Sequence, residues 1–98
     1  MELAPIVLFV YNRPEHTRAC LEYLERNELA AESELYVFAD GAKSGSEEAV
    51  AAVRRVIAEP WKFKRLKVVE RPENKGLAAN VIAGVTSVLE THDRVIVL

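Results

Sequence analysis

Three polar clusters in this chain each follow a short apolar run, and their residue types are those that hold a nucleotide-like anion. Tyr11-Asn12-Arg13 follows Ile6 to Val10, Asp40-Gly41 follows Leu35 to Ala39, and Arg71 to Gly76 follows Lys67 to Glu70. An aromatic wall suits a base, a carboxylate accepts an N–H from it, and Arg or Lys pairs with phosphate. Each cluster also has a plainer reading. Asp-Gly is a common turn pair, and Asn74-Lys75-Gly76 reads equally as a cap and turn in which Gly76 supplies an unusual backbone angle. Arg13 near a helix start is a cation at the positive end of a dipole, which is unfavourable unless an anion lies close by. Asn80, one turn into an apolar helix, suits a bond to a ligand or to neighbouring loops.

The elements that must position these residues follow from apolar patterning. Ile6 to Val10, Leu35 to Ala39, Lys67 to Glu70 and Arg94 to Leu98 read as four strands buried on both faces, because each has a continuous rather than alternating apolar run. Between them lie helical spacings. The first starts at Pro14, presents Cys20, Leu21 and Leu24, and fades near Asn27 to Leu29. The second is capped by Ser44 or Ser46, presents Ala49, Val50, Val53, Val56 and Ile57, and stops before Pro60. The third presents Ala78, Val81, Ile82, Val85, Val88 and Leu89 and is broken at His92-Asp93. The order βαβαβαβ predicts an α/β fold: a three-layer, Rossmann-like, mostly parallel sheet joined by right-handed crossovers. In such sheets ligands bind beyond the carboxyl ends of the strands, near the reversal of strand order, and the polar clusters lie at those ends.

Composition narrows the function. The chain has 98 residues, half of them hydrophobic, with 13 basic and 15 acidic residues and a net charge of -2. That is one domain's worth of chain, and its charge balance argues against a nucleic-acid partner. The basic run Lys62 to Lys67, beside Trp61, reads as a solvated entry to the third strand. No apolar run approaches the roughly 20 residues that span a bilayer. The single cysteine, Cys20, excludes an internal disulfide framework, and cytoplasm is the expected compartment. His16 and His92 lack metal-ligand spacing and read as surface residues. Neither GxGxxG nor GxxxxGK[ST] is present.

Pro5 to Pro14, the strand-ending Asp40-Gly41, and Asn74-Lys75-Gly76-Leu77-Ala78-Ala79-Asn80 together resemble the nucleotide-binding, N-terminal half of GT-A type glycosyltransferases. The likeness is to the large inverting family 2, and the Asn12-Arg13-Pro14 opening is also similar to the N-acetylglucosaminyltransferase I type. The resemblance implies that Phe9, Tyr11 and Arg13 wall the base and reach the nucleotide. It further implies that Asp40 accepts from the imide of uracil beside Gly41, and that Lys75, Gly76, Leu77 and Asn80 lie along the nucleotide. Phe9-Val10 stands where family 2 members often carry Pro-Thr, and Gly41 where many carry a second acidic residue.

The resemblance implies a UDP-sugar donor, a saccharide or other hydroxyl acceptor, and Mn²⁺ or Mg²⁺ on an acidic motif after the fourth strand. The resemblance places that motif just beyond Leu98, and the chain stops inside its most hydrophobic strand. Residues 1–98 are therefore expected to be a truncated nucleotide-sugar-binding subdomain with no catalytic residue or metal ligand of its own and no transfer activity. Its bare strand edge is expected to favour self-association. The competing reading is a non-catalytic α/β binding or regulatory module in which the same residues only cap turns.

Overall fold

The computed structural model describes residues 3–27 and 30–98. Its elements are β1 (Ile6–Val10), α1 (Pro14–Glu25), a 3₁₀ turn (Ala30–Glu32), β2 (Glu34–Ala39), α2 (Glu47–Ile57), β3 (Arg65–Glu70), α3 (Leu77–Leu89) and β4 (Ile96–Val97). The first helix ends at Glu25, and Leu29, where fading was expected, lies outside the described residues.

All strand pairs are parallel, in the order β3-β2-β1-β4. The chain runs outward from β1 through β2 to β3, then crosses to the other side of β1 for β4. Strand order thus reverses between β1 and β4, the place where ligands enter sheets of this kind.

Alternation along the strands sorts the side chains into two cores. Leu8 and Val10 of β1 join Leu35, Val37 and Ala39 of β2, facing Leu21 and Leu24 of α1 and Val53, Val56 and Ile57 of α2. Val7 and Phe38 face the other way, with Phe9, Tyr36 and Val69 beside them and Val88 of α3 above. Two helices therefore cover one face and one covers the other, which gives the expected three layers.

Burial corrects two expectations. β1 and β2 are interior, but β3 and β4 are the sheet edges, so Arg65 and Lys67 are exposed and Ile96 is 48% exposed. The third strand also begins earlier than its apolar part, since Arg65 to Lys67 already pair with Glu34 to Tyr36. The buried face of α3 is Asn80, Gly84 and Val88 rather than the full stripe, and Ile82 is 68% exposed. Gly84 explains the choice of face: a Cβ there would lie 2.7 Å from Phe9 Cε1 and 2.9 Å from Phe38 Cδ2. The helix packs by its smallest residue against a stacked Phe9–Phe38 pair whose centroids are 5.5 Å apart.

Candidate functional site

A cavity of about 890 Å³ opens at the carboxyl end of β1. β4 pairs with Ile6 and Val7, and the rest of that edge of β1 carries no strand partner among the described residues. Leu8, Phe9 and Val10 form the floor, the first turns of α1 one wall, and Asn74, Gly76, Leu77 and Asn80 the other.

Asp40 lies at the centre. It is 4% exposed, and its carboxylate accepts four hydrogen bonds from its own chain. Oδ1 takes the N–H of Gly41 at 2.9 Å and that of Lys75 at 2.8 Å; Oδ2 takes the N–H of Gly76 at 3.0 Å and Asn74 Nδ2 at 3.2 Å. A carboxylate offers about four lone-pair sites, so this one is saturated. The segment 71–76 is clasped onto the end of β2 as a result. Gly41 permits the approach: a Cβ there would sit 2.4 Å from the Glu73 carbonyl carbon. Gly76 takes φ 85°, the positive value expected of it, and stands as the N-cap position of α3 without a side-chain cap.

The rest of the clasp is held from below. The Arg71 N–H donates to Ala39 O at 2.8 Å, and its guanidinium lies 5.3 Å from the Phe38 ring centroid while Nε donates to Asn80 Oδ1 at 3.2 Å. Asn80, 2% exposed, also donates to Phe38 O at 3.3 Å, so its amide serves the neighbouring loops. Arg54 of α2 donates to Arg71 O at 2.7 Å.

Across the cavity, Tyr11 OH bonds Ser46 Oγ at 3.0 Å and accepts the Lys43 N–H at 3.4 Å. Ser46 occupies the N-cap position of α2 but spends its hydroxyl on Tyr11 and on Lys43 O, not on a helix amide. α1 likewise lacks a side-chain cap at Arg13. Pro14 has no N–H to satisfy, and the amides that follow it lie at the positive end of the helix dipole.

Of the nine residues singled out from sequence, the cavity brings together Phe9, Tyr11, Arg13, Asp40, Gly76, Leu77 and Asn80. Gly41 and Lys75 act from behind through their backbones. Sequence reasoning missed Lys43 on the wall, because it sits in what reads as a plain polar turn, and it assigned Asn74 only a capping role. His16, expected at the surface, is exposed and lines the cavity with its Nε2 3.7 Å from Cys20 Sγ. His92, also expected at the surface, is half-buried. It packs edge-on to Tyr36 and reaches Glu34 Oε1 at 3.4 Å.

Among the described residues no three His, Cys, Asp or Glu side chains cluster to hold a metal ion, and the single carboxylate of the cavity is saturated. Nor, among them, is any helix long and apolar enough to cross a membrane.

No curated protein and no solved structure matches the chain. The family model described as glycosyl transferase family 2 matches residues 6–97, nearly the whole of it. The span runs from β1 through β4 and so takes in the cavity floor, the Asp40 clasp and the reversal of strand order. On that match, the chain belongs to glycosyl transferase family 2.

Proposed function

We infer that the cavity takes the nucleotide part of a nucleotide-sugar, a UDP-sugar, and that residues 1–98 form the donor-binding subdomain for transfer to an acceptor hydroxyl. The observation that carries this reading is the placement of the cavity at the reversal of strand order, with aromatic and cationic side chains on its walls. Phe9 and Leu77 offer apolar surface to a base. Arg13 and Lys43 are exposed cations beside the uncapped start of α1, which suits the diphosphate.

In the transfer, the acceptor oxygen forms a bond to the anomeric carbon as the bond from that carbon to the nucleotide's phosphate oxygen breaks. The diphosphate leaves with the electron pair, and Arg13 and Lys43 stabilise the charge that grows on it. The acceptor proton needs a base. Among the described residues that line the cavity, the saturated Asp40 is the only one with a carboxylate side chain, so they supply binding and orientation and no carboxylate base.

Titration calorimetry with UDP tests the reading. Binding is expected to weaken about tenfold in Arg13→Ala, the scale of one charge-assisted contact. A folded protein that binds neither UDP nor a UDP-sugar overturns it.

A further inference from the structure

The basic run that leads into β3 takes no part in the cavity, since no residue from Trp61 to Lys67 lines it. Lys62, Lys64, Arg65 and Lys67 are all exposed, and none of them forms an ion pair among the described residues, in a chain whose net charge is -2. Glu34, the residue opposite Arg65 on β2, reaches His92 instead. Glu25 spends Oε2 on the Lys62 backbone N–H at 2.7 Å.

The backbone beside these cations is also open. β3 is the outermost strand on its side of the sheet, and in a parallel ladder successive residues bond alternately to one side and the other. The Arg71 N–H donates to Ala39 O on the β2 side. By alternation Lys67 and Val69 bond inward, while Leu66 and Val68 turn their N–H and C=O groups outward, where no loop among the described residues takes them. The side chains alternate as well. Leu66 and Val68 pack on the α1–α2 face with Trp61 and Phe63, whereas Arg65 and Lys67 share the other face with Val69. The edge thus offers unpaired backbone groups with apolar surface on one face and cations on the other. Such cations turn away a second copy of the same edge, which would set like charges opposite one another, and they favour a strand of opposite charge.

We propose that the free edge of β3 is a docking site for an extended acidic segment of a partner protein, which adds to the sheet as a further strand. Its main chain pairs with Leu66 and Val68, its alternate carboxylates lie beside Arg65 and Lys67, and its intervening apolar side chains extend the Leu66–Val68 surface. The site stands apart from the nucleotide cavity and does not depend on it.

The test uses a short peptide of alternating Glu and Val, titrated into the protein while following the fluorescence of its single tryptophan, Trp61, beside the run. Hydrogen exchange read by NMR then reports on individual amides. The peptide is expected to bind, more weakly as salt rises, and to slow exchange at Leu66 and Val68. The double variant Arg65→Glu, Lys67→Glu, shown to be folded by circular dichroism, is expected to bind it about tenfold more weakly and to accept a Lys-Val peptide in its place. A peptide with every amide N-methylated, or one with the same residues in two blocks, is expected to lose the binding. Equal binding of either control assigns the attraction to charge alone and overturns the proposal, as does binding without protection of Leu66 and Val68. Tighter binding of an oligothymidylate marks a nucleic-acid surface and overturns it too. No binding of the alternating peptide at low salt removes the site.

Discussion

Asp40 is where this molecule concentrates its polar chemistry. A buried carboxylate with four donors depends on keeping all of them, because each donor stranded by its loss carries a desolvation cost larger than the net worth of the bond. Asp40→Ala is expected to destabilise the protein by about 3 kcal/mol or more, read as a lowered denaturant midpoint. Asp40→Asn preserves shape but turns an NH₂ toward donors, and the same measurement is expected to show most of that loss. Unchanged stability in both variants would mean that the clasp of segment 71–76 does not depend on the carboxylate. Arg13 and Lys43 are exposed and face the cavity, so nucleotide affinity is expected to fall as salt rises, which calorimetry at two ionic strengths checks.

Among the elements, α3 shows why residue volume can outrank hydropathy. Replacing Gly84 with Ala improves helix propensity by about 1 kcal/mol. The added methyl, however, meets Phe9 and Phe38 inside 3 Å, and overpacking of this kind costs about 1–3 kcal/mol. The expected net result is a lower melting temperature; a stabilised variant would show that α3 can lift off the sheet freely. On the opposite face Arg18 of α1 is strapped to Glu59, two residues past the end of α2, their guanidinium and carboxylate meeting fork to fork. The hydrogen bonds from Arg18 hold the Glu59 carboxyl below its ordinary value. Its contribution is therefore present above the unfolded carboxyl's pKa and is lost as pH falls through the lower folded value. Both side chains are partly exposed, so the effect is small and salt-sensitive. The melting temperatures of wild type and Glu59→Gln are expected to differ slightly at neutral pH and to converge in strong acid.

At the scale of the whole molecule, the sheet is managed differently on its two edges. β3 carries exposed Arg65 and Lys67, charges that blunt strand addition. β4 carries Ile96 and Val97, both about half exposed. The β4 edge is the one expected to pair with another copy. Light scattering over a range of concentrations should show growth in mass that Val97→Lys suppresses, whereas a monomer at every concentration removes the idea.

The order of strands and helices was legible in the sequence because apolar periodicity and turn chemistry are local: Ile6 to Val10, Leu35 to Ala39 and the α2 stripe each carry their own signal within a few residues. The same locality placed Tyr11, Asp40 and Gly76 at strand and helix ends, where the fold class puts ligands. The face of α3 was not legible, since its apolar residues lie on several sides and the deciding contact is Gly84 against two rings from other strands. The edge positions of β3 and β4 likewise depend on strand order, which no single strand encodes. Nor could sequence show that Asp40 is saturated, because three of its four donors come from residues 74, 75 and 76, more than 30 positions away. A hydrogen-bond acceptor is filled by whatever the folded chain brings within 3 Å or so of it, and only the tertiary structure decides that.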